Sequence, residues 1–233
     1  FVVGLPGDAV ESENFQDLVH DLTLLSCLGI KLVIVHGARL QIEAGLKAAG
    51  QESQIANQVR VTPGDQLQTI CAAIHQVQES ILKAFSRGMP DTPAFGMQTP
   101  VLTGNFVAAR PLGVKDGVDY QYTGQVRQVH AGRIDAALDC GAIVVIPTLG
   151  YSLTGEIFNL SISEVTSSVT KALGADKLVC FSTLGKLEAL HEENESVFNV
   201  LQLEHAVADQ AEVDALVQAA VESISNGLPR AHI

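Results

Sequence analysis

Gly29-Ile30-Lys31-Leu32-Val33-Ile34-Val35-His36-Gly37-Ala38-Arg39 is the stretch whose reading decides the fold. Leu32 to Val35 is apolar and rich in β-branched side chains, with no alternation. That is the pattern of a strand buried on both faces, and strands are buried on both faces mainly in parallel sheets covered by helices. Gly29 stops the element before it, where Phe15, Leu18, Val19, Leu22, Leu25 and Leu28 recur at helical spacing. Behind the strand, residues 36–39 predict a loop and residues 40–49 a second helix, ended by Gly50. Upstream, residues 1–5 are a short apolar run closed by Pro6-Gly7. The chain therefore begins β-α-β-α.

Further along, Thr62-Pro63-Gly64-Asp65 breaks the chain and is expected to cap a third helix. Its stripe is Leu67, Ile70, Cys71, Ile74, Val77, Ile81 and Phe85. Residues 88–100 are rich in Gly and Pro and predict a loop. Residues 101–130 change character, with short strands expected at 101–102, 106–107, 118–122 and 126–129. Gly104-Asn105 and Asp116-Gly117 supply the turns, which predicts a β-hairpin lobe. Alternation then resumes with a helix at 134–138, a stop at Gly141 and a strand at 142–146. Ser161 and Glu164 have capping-box spacing before a helix running to Leu173. A strand at 178–181 and a long helix at 209–225, ended by Asn226-Gly227, complete the pattern. The expected class is α/β: a mostly parallel central sheet sandwiched by helices, with residues 1–233 forming one continuous domain. The chain opens as if inside a strand and closes at Ala231-His232-Ile233 as if starting another, so the domain is expected to be incomplete at both ends.

Composition narrows the function classes. Apolar residues make up 47% of the 233 and charged residues 17%, a balance that excludes a disordered chain. Fourteen Lys+Arg stand against 26 Asp+Glu, for a net charge of −12. Such a field repels phosphate backbones and argues against a nucleic-acid partner. Mean hydropathy is +0.24, yet no run approaches the roughly 18 apolar residues a membrane span needs. Cys27, Cys71, Cys140 and Cys180 are widely spaced in apolar surroundings and read as reduced core thiols of a cytoplasmic protein. Asn159-Leu160-Ser161 matches a glycosylation sequon that such a protein would not use.

Common chemical motifs are missing. There is no GxxxxGK[ST], GxGxxG, HExxH or GxSxG, and the seven histidines are scattered, so no metal site is expected. On motifs alone the chain is an α/β domain of unstated function.

Several segments nevertheless resemble, in order, the amino acid kinase family. Residues 29–39 look like its second strand and glycine loop. Val59-Arg60-Val61-Thr62 resembles the substrate-carboxylate segment of N-acetylglutamate kinases. Gly141-Ala142-Ile143-Val144-Val145-Ile146-Pro147, Gly155-Glu156-Ile157-Phe158-Asn159-Leu160-Ser161 and Leu173-Gly174-Ala175-Asp176-Lys177-Leu178 follow the family's order. Gly37-Ala38-Arg39-Leu40-Gln41-Ile42 and the segment from Pro111 to Tyr120 favour the amino-terminal kinase-like domain of bacterial N-acetylglutamate synthases. The resemblance covers nearly the whole chain and implies the amino acid kinase fold.

The departures from that family define the expectation. Phosphoryl transfer depends on positioned positive charge, and the first-strand lysine of the kinases is matched here by Gly4. The paired glycines that follow are reduced to Pro6-Gly7, and proline has no N–H for a phosphate. The second glycine loop is Gly37-Ala38-Arg39. The position of the kinases' aspartate, four residues after Asn159, holds Ser163, and residues 209–226 contain no lysine. Gly4, Gly7 and Gly37 thus mark degenerate nucleotide loops, with no catalytic residue and no cofactor expected in this segment.

What the resemblance implies is a regulatory, homo-oligomerising domain that binds L-arginine as feedback effector. A separate following domain would transfer acetyl from acetyl-CoA to L-glutamate, making N-acetyl-L-glutamate in arginine biosynthesis. His232 matches the histidine of arginine-sensitive relatives, and Arg60 and Asn159 match a vestigial acylamino-acid pocket. The alternatives are an active N-acetylglutamate kinase and a stand-alone binding module of this fold. Each residue also has a plainer reading. Arg60 could be a surface arginine, Asn159 a turn former and His232 a strand-edge histidine. Arg39 and Gln41 read as capping or pairing near a helix start, His36 as a loop-end hydrogen bonder, and Glu192, Glu193 and Glu195 as a solvated hairpin or loop.

Overall fold

The computed structural model describes residues 1–57, 59–87 and 99–181, together with the backbone of 197–198 and 231–232. At its centre lies a seven-stranded sheet. Its strands are β1 (Val2–Leu5), β2 (Val33–His36), β5 (Val101–Thr103), β10 (Ile143–Pro147), β13 (Leu178–Cys180), β14 (Val197–Phe198) and β15 (Ala231–His232), in the order β14-β15-β13-β1-β2-β10-β5. Every pairing is parallel except that of β14 with β15. Burial explains the unalternated strands. All four residues of β1 and of β2 and all five of β10 are buried, because each face of the sheet carries its own core. Val33, Val35, Val144 and Ile146 face one cluster with Ile134, Leu138, Val165 and Val169. Val3, Leu5, Ile34 and Val145 face the other, with Phe15, Val19, Ile42, Leu46, Ile70 and Ile74.

The second cluster is covered by α2 (Phe15–Cys27), α3 (Arg39–Ala48) and α4 (Leu67–Phe85), and the first by α5 (Ala131–Asp139) and α6 (Ile162–Leu173). The α4 stripe holds, with Ile70, Ile74, Val77 and Ile81 at 0–2% exposure. The α2 stripe is shorter than its periodicity suggested, since Leu28 caps the helix and is 79% exposed. Two cap assignments are corrected. The segment Thr62 to Asp65 supplies α4 with no capping side chain. Instead the backbone N–H groups of Gln66 and Leu67 donate to the Pro63 carbonyl at 3.0 and 3.1 Å. The capping box at α6 does not close either. Ser161 Oγ lies 2.7 Å from Ser163 Oγ, and Glu164 Oε1 accepts from the Val126 amide at 2.7 Å, tying α6 to a neighbouring strand.

Elements with weak local signals emerge beside these. A five-residue helix α1 (Gly7–Glu11) follows β1, and β3 (Gln54–Ala56) pairs with β4 (Val59–Val61). The expected lobe is a four-stranded sheet of β6 (Val107–Pro111), β9 (Gly124–Val129), β11 (Leu149–Tyr151) and β12 (Ile157–Asn159), ordered β12-β11-β6-β9. A two-residue ladder, β7 (Val114–Lys115) with β8 (Val118–Asp119), turns at Asp116 (φ 52°) and Gly117 (φ 77°), the paired positive φ of a tight hairpin. The first strand assigned to the lobe belongs elsewhere, because β5 extends the central sheet beside β10. The strand expected to reach residue 122 ends at Asp119, where Tyr120 turns inward to 2% exposure and Gln121 adopts φ 50°.

The cysteine reading is corrected as well. Cys180 is buried and Cys71 half-buried, but Cys27 and Cys140 are exposed at or next to helix ends. No helix among the described residues is long and apolar enough to cross a membrane. The loop expected at 88–98 and the helix expected at 209–225 lie outside the described residues.

Candidate functional site

Beyond the carboxyl ends of β1, β2 and β10 opens a cleft of about 230 Å³, the place where open parallel sheets receive ligands. Pro6 and Gly7 after β1 contribute to it, as do Gly37, Ala38 and Arg39 between β2 and α3. Ile55, Val59 and Arg60 come from the β3–β4 hairpin. Asn159 to Ile162, leading from β12 into α6, supply the opposite part, with Thr123 and Thr148 between. The structure therefore brings Arg60, Asn159, Gly7 and Gly37 into one cleft. It does not bring Gly4 there, since that residue lies within β1, buried between Val35 and Cys180 of the adjoining strands. His232 lies on β15, separated from β1 by β13 and paired with Val179. Glu192, Glu193 and Glu195 lie outside the described residues.

The two loops at the sheet edge are held together. A Cβ added at Gly7 would come within 2.9 Å of Ala38 Cα and 3.1 Å of the Gly37 carbonyl oxygen, and would overlap Gln41 Oε1. Glycine is required because one loop rests directly on the other. Gln41 fastens them, with Nε2 donating to the Gly7 carbonyl at 2.8 Å and to Glu11 Oε1 at 2.8 Å. It pairs near the start of its helix as expected, but across two loops and not within α3.

Arg60 is engaged from three sides. Its Nη2 meets Glu43 Oε1 at 2.6 Å, and its Nη1 donates to Ser53 Oγ. Its carbonyl oxygen accepts from Thr123 Oγ1 at 2.6 Å. Its side chain is only 11% exposed, so it is not a surface arginine. Asn159 is 7% exposed. Its Nδ2 donates to Thr62 Oγ1 at 3.1 Å, and the Thr62 hydroxyl lies 3.0 Å from Thr123 Oγ1, which accepts from it while its own proton goes to the Arg60 carbonyl. This polar knot joins β4 to the lobe beneath the cleft. Thr148, also nearly buried, accepts from the Leu160 amide through its carbonyl.

His36 ends β2 at 0% exposure, and neither ring nitrogen has a hydrogen-bond partner. Burial drives its pKa down to about 4, with the Gly37 backbone opposing in part and the exposed His75 on α4 adding slightly to the drop. The ring is therefore neutral at pH 7. It is not the loop-end hydrogen bonder its position suggested.

The chemistry available in the cleft is limited. Among the described residues its lining holds no Lys, His, Cys, Asp or Glu, and its only charges are Arg39 and Arg60. It offers neither a nucleophile–base pair nor a lysine to meet a transferring phosphoryl group. No group of three or more metal-ligating side chains occurs among the described residues. Sequence reading missed Glu43 and Thr123, and gave Thr62 no role of its own within its segment. Glu43 stands four residues after Arg39 on α3, a spacing that suggests a pair within the helix, and only the fold shows it reaching Arg60.

Comparison with known proteins places these features in context. The model of the amino acid kinase family matches residues 1–233. The amino-acid acetyltransferase of Pseudomonas fluorescens strain Pf-5 is 42% identical over the whole of this chain and 54% of its own length. That of Ectopseudomonas mendocina is 40% identical over the same shares. The chain spans about half the length of the curated relatives it matches. Among solved structures, N-acetylglutamate synthase from Neisseria gonorrhoeae complexed with coenzyme A and L-arginine superimposes with a TM-score of 0.86 at 29% identity, over 99% of this chain and 54% of that one. Carbamate kinase from Giardia lamblia bound to AMP-PNP shares the fold, with a TM-score of 0.64 at 15% identity over 96% of this chain and 87% of that one.

Proposed function

We propose a function on the premise that the chain belongs to the amino acid kinase family. It is the kinase-like domain of an N-acetylglutamate synthase, and it regulates and assembles that enzyme without transferring phosphate. The whole protein would acetylate L-glutamate with acetyl-CoA through a further domain, and this domain would sense L-arginine. The relatives at 40–42% identity are named amino-acid acetyltransferases, and the synthase from Neisseria gonorrhoeae was captured with L-arginine. Assembly as a homo-oligomer and an arginine site that includes His232 belong to the same proposal.

The observation that carries the non-kinase part is the state of the two loops where phosphate would lie. Among the described residues no lysine lines the cleft to meet a phosphoryl group, Pro6 offers no N–H, and the Gly7 carbonyl is held by Gln41, whose amide also binds Glu11.

The decisive assay follows ADP release from ATP and N-acetyl-L-glutamate with the intact protein. The expected rate is background, and a rate above background establishes the kinase alternative. Calorimetry with L-arginine on the intact protein tests the sensory part. Saturable binding that His232→Ala weakens supports it, and absence of binding at millimolar ligand removes it.

A further inference from the structure

We infer that Glu43 determines the specificity of the cleft by occupying Arg60, so that the cleft refuses small carboxylates until that glutamate is neutralised. A guanidinium in a cleft is the usual receptor for a carboxylate, because its N–H fork matches the two oxygens. Here an oxygen of the chain's own glutamate already holds that place, at 2.6 Å from Nη2, while Ser53 takes Nη1. The pair is built in. The Arg60 side chain is 11% exposed and that of Glu43 40%, and the Thr123 hydroxyl fixes the Arg60 backbone.

An incoming carboxylate must therefore displace Glu43 from a charge-assisted bond. It would also leave that glutamate, still half-buried, next to a second anion. Both effects oppose binding, and like charges left close together are costly when partly desolvated. Neutralising Glu43 reverses the balance. Arg60 would then lack its counter-charge. Arg39, which lines the same cleft with no ion pair among the described residues, lies one helical turn before position 43 on α3. The unmasked cleft would present two guanidinium groups and several apolar side chains, among them Ile42, Ile55 and Ile162. That surface fits a small dicarboxylate with an apolar segment. This inference goes beyond the proposed function, and its failure would leave that function standing, since it concerns what the cleft rejects and not which effector the domain senses.

The test titrates N-acetyl-L-glutamate into the intact protein by calorimetry, with its uncharged dimethyl ester as control, for wild type, Arg60→Gln, Glu43→Gln and the Glu43→Gln/Arg60→Gln double variant. Glu43→Gln is expected to bind one equivalent more than wild type, at least ~10-fold tighter than any Arg60-dependent binding wild type shows, a factor set by one charge-assisted hydrogen bond. The extra equivalent should vanish in the double variant and with the ester. Three results overturn the inference: no extra or tightened equivalent in Glu43→Gln, an extra equivalent that survives loss of Arg60, or an Arg60-dependent equivalent that wild type binds within ~10-fold of its affinity in Glu43→Gln. If Glu43→Gln does not fold, Glu43→Ser carries the same test.

Discussion

His36 converts mild acidity into a loss of stability whose size follows from its burial. In the folded chain the ring is fully buried with a pKa of about 4, whereas the unfolded chain presents an ordinary histidine near 6.5. The unfolded state thus takes up the proton first. The stability tied to the neutral ring is complete above about pH 6.5, falls as the pH drops, and is fully lost below about 4. The gap between 6.5 and 4, at ~1.4 kcal/mol per pKa unit, corresponds to about 3 kcal/mol in total, of which about 2 kcal/mol is gone by pH 5. The perturbation is His36→Leu, which keeps the volume and removes the titration. The assay is urea unfolding of both proteins at pH 7.5, 6.5, 5.5 and 5.0. Groups common to both cancel in the difference, leaving wild type to lose about 2 kcal/mol more than the variant across that range. A difference independent of pH would refute the reasoning, and a difference of opposite sign would mean that the buried ring has a proton-accepting partner.

Other consequences are as direct. A methyl added by Gly150→Ala would fall 2.5 Å from Ala109 Cβ and 2.8 Å from Leu160 Cδ1, so denaturation should show a loss of ~1–3 kcal/mol; unchanged stability would contradict the packing of β11 on β6. Thr123→Val keeps shape but leaves the Arg60 carbonyl without its donor and the Thr62 hydroxyl without its acceptor, and should cost ~1–2 kcal/mol in the same measurement. Native alkylation followed by mass spectrometry should modify exposed Cys27 and Cys140 first, Cys71 slowly because burial pushes its thiol pKa up, and Cys180 only on unfolding.

Most of the central sheet was legible from local pattern. Leu32 to Val35 and Ala142 to Ile146 are unalternated because both cores need them, and residues with such runs have little choice of partner. The α4 stripe was legible for the same reason, since its period matches one helical face against one sheet. The signals that misled were short-range ones with a stronger long-range competitor. Glu164 has capping-box spacing, yet the Val126 amide claims its carboxylate. Residues 101–103 sit beside turn residues, yet the edge of β10 offered them a full ladder. β3, β11 and β12 are three residues each, too short for periodicity to mark.

The candidate site divides along the same line. The residues lining the cleft come from loops after β1 and β2 and from segments around β4 and β12, and their types could be read along the chain. Whether a charge among them is available could not, because availability depends on what lies across the cleft from it. Arg60 is charged by its chemistry and silent by its pairing with Glu43, seventeen positions earlier, and Gln41 reaches 34 positions back to Gly7. By itself the sequence determined the α/β order and the buried strands, both of which are properties of residue type and local period. Only the tertiary structure decided which polar groups already satisfy one another, because a hydrogen bond is won by whichever partner the fold brings within about 3 Å, and that proximity is set by the packing of whole elements and not by neighbours in the chain.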